Sequence, residues 1–380
     1  MTAPGAVRGR VAIVGVGATT QGEHPESTAN DLAVEAARAA LADAGIAKGD
    51  VDGLVTCLTL DGQGGDVEVG GLLGINPAYS ATLTYGTCNF SMHLAVMAIL
   101  AGLADTVLLT YGANQRTGGT DFAAATDDFA APQGLVHIAG PAALAFRRHQ
   151  HLYGTTEEQL GAIAVAQRRF ARDNPLAIFR GPLTIEDYLA QPYLVAPLRR
   201  ADVTMISDGG VALVMTRADR VGAHPRPAVH VLGMAQTTAL RQDQNPDNLL
   251  RPWLRPLADR LFAAGGMTRS DVDVAFFQDP TSVWVLQMLE HYGFCAPGEG
   301  GAFVADGHTG PGGSLPVNTN GGQLSESYMW GWLHVYEAVQ QLRAAAGPRQ
   351  VDGATVALHA STAAFFKGAA TLLGAQSSSA

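Results

Sequence analysis

The chain carries its own repeat. "VAIVGVGATT" at 11–20 returns as "VHVLGMAQTT" at 229–238, and each reads as a buried strand running into a turn of small residues. Behind each comes a helical pattern that closes on Ala-Gly and leads to Asp-Val-Asp: "AARAALADAGIAKGDVDGLV" in the first half, "LADRLFAAGGMTRSDVDVAFF" in the second. A further pair, "DTVLLTYGA" at 105–113 and "ATVALHASTA" at 354–363, sets Thr106-Val107 on Thr355-Val356, Tyr111 opposite Ala360 and Gly112 opposite Ser361. A repeat of this kind fixes architecture before local detail is argued. Apolar strands alternating with helices imply mixed or parallel sheets covered on both faces, an α/β class. Two such halves stack as a five-layer αβαβα sandwich. The first half is expected to span 1–222, ending in the Pro/Gly-rich "RVGAHPRP", and the second 223–380. Residues at about 115–200 have no counterpart in the second half and read as an insertion. Within it Thr155 or Thr156 caps a helix that stops before Pro175. Segments of this kind carry dimer contacts or substrate walls.

Composition narrows the function classes. With 380 residues, 47% hydrophobic and 15% charged, the chain can bury a large core. Acidic residues outnumber basic ones, 34 to 24, and no basic run exists, so the footprint of a nucleic-acid binder is missing. The N-terminus lacks a signal-peptide core, and no window approaches about 18 uninterrupted apolar residues, so a cytoplasmic protein without a membrane span is expected. The three cysteines, Cys57, Cys88 and Cys295, are too scattered for a disulfide framework or zinc ribbon. Gly15 and Gly17 begin a dinucleotide fingerprint whose third glycine would fall at Thr20, so they read as a turn after the first strand. His149 and His151 are two apart, which on a helix points them away from each other, and no metal is expected.

Cys88 is the cysteine with chemistry in its surroundings. It follows "AYSATLTYGT" and precedes "SMHLAVMAILAGLAD", whose apolar residues recur at helical spacing, so it sits at a helix N-terminus. The free N–H groups and dipole there stabilise a thiolate, the form that attacks a thioester. A buried, inert thiol is the competing reading, as it is for Cys57 and Cys295.

Three stretches carry a family resemblance: "TCNFSMHLAVMAILAGLADTVLLTYGAN", "NPLAIFRGPLTIEDYLAQPYLVAPLRRADVTMISDGGVALVMT" and "LEHYGFCAPGEGGAFV" followed by "LPVNTNGGQLSESY". Together they resemble the thiolase superfamily, in its sterol-carrier, lipid-transfer branch, across essentially the whole chain. The resemblance implies the duplicated thiolase fold, a coenzyme A thioester as substrate, no permanently bound cofactor, and Cys88 as nucleophile. It also implies that Asn318, Gly321 and Gly322 line the thioester, the glycines by letting the backbone approach closely.

The departures bear on the chemistry. Thiolases follow the Gly-Gly loop with Gly-His-Pro, and that histidine activates the cysteine. Here the stretch is "SESYMWG", with Tyr328 in the histidine's place. Thiolases also carry a second cysteine in a Cys-x-Gly loop near the C-terminus, where this chain reads "LHASTAAFF", with His359 and Ser361. The variant resembles thiolase-like proteins that work with a small zinc-ribbon and OB-fold partner, a group that includes unusual carbon acyltransferases and steroid side-chain aldolases. Tyr328 then serves as acid, base or oxyanion donor. His359 is placed to accept the thiol proton, Ser361 is a weaker candidate, and His137 precedes a helix that overhangs the pocket.

Acyl transfer from a CoA thioester to carbon through a Cys88 acyl-enzyme is the first expectation. Backbone N–H groups near "NTNGG" and in the 359–363 loop would form the oxyanion hole, and an activated acceptor would make the second cysteine dispensable. The rival is a retro-aldol lyase acting on a β-hydroxyacyl-CoA, with Tyr328 as base and Cys88 incidental. A third reading is a non-catalytic acyl-CoA-binding subunit. A homodimer is expected, or an α2β2 assembly where the partner joins.

Overall fold

A computed structural model describes residues 7–84, 87–120, 138–239, 246–363 and 367–375. Its strands are β1 (Val11–Ala18), β2 (Gly53–Cys57), β3 (Tyr79–Leu83), β4 (Thr106–Asn114), β5 (Tyr193–Val195), β6 (Leu198–Arg199), β7 (Asp208–Arg217), β8 (Val229–Thr238), β9 (Val274–Phe277), β10 (Val356–Ala363) and β11 (Lys367–Gly374). All but the small hairpin β5–β6 join one sheet in the order β3-β2-β4-β7-β1-β8-β11-β10-β9.

The repeat is written into that order. In the first half β1 runs antiparallel to β7, β7 antiparallel to β4, and β4 parallel to β2. In the second, β8 runs antiparallel to β11, β11 antiparallel to β10, and β10 parallel to β9. A short pairing of Ala12 with His230 and Ile13 with Val229 joins the two. The matched Asp-Val-Asp segments do the same work in each half. Asp52 accepts from the N–H groups of Asp105 (2.9 Å) and Thr106 (2.7 Å) and so fixes the start of β4. Asp273 accepts from Thr355 (2.8 Å) and Val356 (2.9 Å) and fixes the start of β10.

Five layers follow from strands that are apolar on both faces. On the first half's outer side, helices Ala29–Ala44 and Asp66–Leu73 pack on Val14, Leu54, Leu108 and Val214. On the second half's outer side, helices Leu254–Gly265 and Ser282–His291 pack on Phe277, Leu358 and Leu372. Between the two halves of the sheet lie helices Cys88–Leu100 and Trp332–Leu342, each touching strands of both halves. The first of these is buried over most of its surface, and the polar Asn89, Ser91 and His93 are buried along with its apolar residues. Gly15 and Gly17 let helix Ala29–Ala44 lie directly on β1: a methyl on either would come within 2.3 or 2.4 Å of a helix carbonyl oxygen. That packing role accounts for both glycines.

Within the insertion, helices Ala139–Tyr153, Glu157–Ala171 and Ile185–Ala190 precede the hairpin β5–β6. Thr156, rather than Thr155, caps its helix, in a reciprocal box with Gln159. Although it leaves the chain in the first half, the insertion packs Phe146, Leu160 and Ile163 against Trp284 and Leu286 of the second. No described helix is long and apolar enough to cross a membrane.

Candidate active site

The two central helices begin close together. Cys88 is the first residue of its helix, and its backbone N–H donates to the Trp330 carbonyl (3.3 Å), one residue before Gly331 caps the other helix. Cys88 is fully buried among Val55, Met92, Tyr111 and Trp330. Burial pushes its thiol well above the usual range, and the neighbouring Cys57 adds to the shift. Desolvation thus outweighs the help a helix N-terminus gives a thiolate. The polar residues beside it are tied to the second half. Asn89 Nδ2 donates to Ser361 Oγ (2.9 Å) and the Ala369 carbonyl (3.0 Å), and Thr371 Oγ1 donates to Asn89 Oδ1 (2.7 Å). Thr87 and Ser361 share a hydroxyl–hydroxyl bond of 2.7 Å.

Tyr328 is half-buried at the edge of this region. Its backbone N–H donates to Ser207 Oγ (3.0 Å), and its ring meets Trp330 edge-on at 6.3 Å. Trp330 and Trp332 each stack on Tyr111, at 5.8 and 6.1 Å, forming an aromatic floor.

The structure corrects several sequence expectations. Residues 359–363 form strand β10 rather than a loop, since pairing with β9 and β11 overrides their small, polar composition. Four of the N–H groups in the stretches expected to form an oxyanion hole are already engaged. Asn318 donates to the Ala275 carbonyl (2.9 Å), Gly321 to the Asn318 carbonyl (2.8 Å), Gly322 to Asn320 Oδ1 (3.3 Å) and Thr362 to Gln278 Oε1 (2.9 Å). The Asn318 side chain pairs with both backbone groups of Phe277, at 2.8 and 2.9 Å, and behaves as an extra sheet rung. At φ 100° and 63°, Gly321 and Gly322 leave no room for a side chain: a methyl would come within 2.5 Å of Ala171 and 2.2 Å of Asp279 respectively. Ser361 is committed to Thr87 and Asn89. His137 lies outside the described residues.

His359 sits on β10, fully buried, with Nδ1 bonded to the Phe276 carbonyl (3.1 Å). Burial, then the neighbouring His334, lowers its pKa to about 3, so the ring is neutral. A methyl on Gly331 would come within 2.9 Å of its Nε2. Cys88 and His359 therefore bracket the Trp330-Gly331 turn.

Sequence reasoning missed the polar cluster beneath that turn. Asp279, fully buried, accepts from the Gln323 N–H (2.9 Å) and from His334 Nε2 (3.0 Å). Glu326 accepts from Asn174 Nδ2 (2.7 Å) and Asn320 Nδ2, and burial raises its pKa to about 8 against those donors. Glu337 pairs with Arg349 (2.8 Å). One signal was available: Gln278-Asp279 breaks the apolar run "VAFF" at the carboxyl end of β9, where open α/β sheets hold ligands. The two histidines that had been discounted as metal ligands are accounted for separately: His149 is bonded to Glu290 (2.9 Å) and Thr155 (2.8 Å), and His151 lines an open groove of about 790 Å³ on the insertion, away from this cluster.

Residues 235–375 match the thiolase C-terminal domain-like family model. The chain is 36% identical to the 17-hydroxy-3-oxo-4-pregnene-20-carboxyl-CoA lyase of Mycobacterium tuberculosis, over 88% of this chain and 92% of the relative. It is 35% identical to the steroid side-chain-cleaving aldolase of Thermomonospora curvata, over 93% and 95% respectively. A solved Ltp2-ChsH2(DUF35) aldolase superposes with a TM-score of 0.89 at 34% identity, covering 97% of this chain and 98% of that one. The chain belongs to the thiolase-like enzymes, with the duplicated thiolase fold. Its relatives match the lyase expectation better than the acyl-transfer one.

Proposed function

We propose that this protein cleaves a β-hydroxyacyl-CoA of the steroid side-chain type by a retro-aldol reaction. The β-hydroxyl gives up its proton as its carbon becomes a carbonyl, the bond to the α-carbon breaks, and the electron pair enters the thioester as an enolate, which is then protonated. The thioester is the electron sink. Tyr328 is the base: as a phenolate it takes the β-hydroxyl's proton while the C–C bond breaks, and the phenol so formed can return that proton to the enolate.

The observation that carries this reading is the state of Cys88. Acyl transfer needs a thiolate open to the thioester, whereas Cys88 is fully buried among apolar groups with its thiol pushed up. The lyase route asks nothing of it. Incubation with 17-hydroxy-3-oxo-4-pregnene-20-carboxyl-CoA should release a ketosteroid, and mass spectrometry of the Cys88 peptide under turnover should show no acyl adduct. An adduct would restore the acyl-transfer reading.

The likeness to the Ltp2-ChsH2(DUF35) aldolase supports a DUF35 partner of the zinc-ribbon and OB-fold kind. For the homodimer, the candidate face is the free edge of the sheet, strand β3, flanked by exposed Val67, Leu72, Met97 and Leu103. Leu72→Lys should lower the solution mass to that of a single chain if this face pairs. We keep the boundary between the halves at about residue 222, in the connection between β7 and β8.

A further inference from the structure

We propose that His359 and Gln323 form a buried subsite for a hydroxyl group, the β-hydroxyl of the substrate. The inference rests on the aldolase reading and deepens it. Two side chains carry it, each with one atom left unmatched. The Nδ1 of His359 donates to the Phe276 carbonyl (3.1 Å), which leaves a lone pair on Nε2. That Nε2 has no hydrogen-bond partner among the described residues. The Gln323 amide is oriented by the Gly331 N–H, which donates to its Oε1 (3.3 Å). Its Nε2, a donor, likewise has no partner. Both side chains are at most 1% exposed. Buried polar groups in folded proteins are almost always paired, because an unmade bond there forfeits solvation without return.

Both side chains border one residue. The N–H of Gly331 faces Gln323, and a methyl on its α-carbon would come within 2.9 Å of His359 Nε2. Gly331 is held at φ 81°, and Tyr328 lies three residues upstream. An acceptor and a donor on side chains that flank the same glycine are completed by a hydroxyl, which gives its hydrogen to one and receives from the other. A carboxylate or ketone would satisfy only Gln323, and an ammonium only His359. In a β-hydroxyacyl thioester the hydroxyl marks the carbon whose bond to the α-carbon breaks, so holding it fixes that bond beside Tyr328.

The test is binding of two uncleavable ligands to the full chain. These are the CoA thioether of the 17-hydroxy-20-carboxyl pregnene skeleton and its 17-deoxy counterpart. Wild type should prefer the hydroxylated ligand by roughly 10- to 100-fold. Gln323→Met, close in volume and retaining the backbone bond to Asp279, should bring that ratio to within about three-fold while leaving affinity for the deoxy ligand in place. His359→Phe should do the same, and if it fails to fold, Gln323→Met decides alone. Equal affinity in wild type, no binding of either ligand, or a preference that survives Gln323→Met overturns the subsite; equal affinity is also the result expected if the pair holds only a water. Turnover of the hydroxylated thioester is scored separately. Cleavage without discrimination sinks the subsite and keeps the aldolase, and discrimination without cleavage does the reverse.

Discussion

The two central helices hold equivalent places in the repeat, each running into one of the matched strands β4 and β10, yet they start in opposite surroundings. Helix Cys88–Leu100 opens with its thiol in an apolar cluster that includes Val55, Met92 and Tyr111, and with Thr87 and Asn89 already bonded to Ser361 and Thr371. Helix Trp332–Leu342 opens above Asp279, His334, Gln323 and His359, all buried and polar. Duplication supplies two helix N-termini that converge on one turn, and a chain need keep chemistry at only one of them. On the aldolase reading the working groups lie on the second-half side, and Cys88 remains as packing.

The comparison breaks most directly at Cys88 and Tyr328. Tyr328→Phe should cut turnover of the hydroxylated steroid thioester by about 10²- to 10⁴-fold, the range for loss of a positioned proton carrier. Cys88→Ala should leave turnover within roughly three-fold, because it removes only a buried sulfur. Steady-state release of ketosteroid measures both. The reverse pattern would put the chemistry back at the first helix.

The repeat was legible because it is a pattern, with strand, helix, Ala-Gly and Asp-Val-Asp returning in order. The strand order was not. That β7 lies between β1 and β4, and β11 between β8 and β10, is a matter of long-range pairing that no local period records. Cys88 could be placed at a helix start from its neighbours, but its burial depends on Trp330 and Tyr111, far along the chain. The polar cluster was missed for a related reason. His334, Glu337 and Gln341 are scattered through a largely apolar helix, and only packing shows that Asp279, Thr319 and Arg349 meet them. The repeat matches 354–363 to the strand at 105–113, and β10 follows that match rather than the loop the resemblance implies for "LHASTAAFF".

Two further substitutions sharpen the contrast between the dry and polar sides. Arg349→Met leaves Glu337, 2% exposed, without its cation. Breaking a buried pair from one side should cost about 3–5 kcal/mol, read as a lower denaturation midpoint. Glu326→Gln tests the raised carboxyl. With a folded pKa of about 8 against 4.5 for a free side chain, the folded chain keeps a proton that the unfolded chain releases. The stability it contributes is fully present below about pH 4.5 and is lost as pH rises toward 8, on the order of 5 kcal/mol across that window. Glu326→Gln should flatten the dependence, so the informative quantity is the slope of stability against pH in the two proteins, whatever offset the amide introduces.

The smallest effect is expected at the seam between the helices' surroundings, at Ser361. Its hydroxyl bonds Thr87 at 2.7 Å and Asn89 at 2.9 Å, tying the start of the Cys88 helix to β10. Ser361→Ala leaves those two groups buried and short of a partner, which should cost about 1–3 kcal/mol in chemical denaturation. Asn89 keeps its bonds to the Ala369 carbonyl and Thr371, so the helix start should hold its position. Turnover should therefore change by less than about three-fold at temperatures where the variant is folded. A large loss of turnover in a stable Ser361→Ala protein would make the hydroxyl part of the chemistry, and would move the boundary between the packed and working sides across β10 toward Cys88.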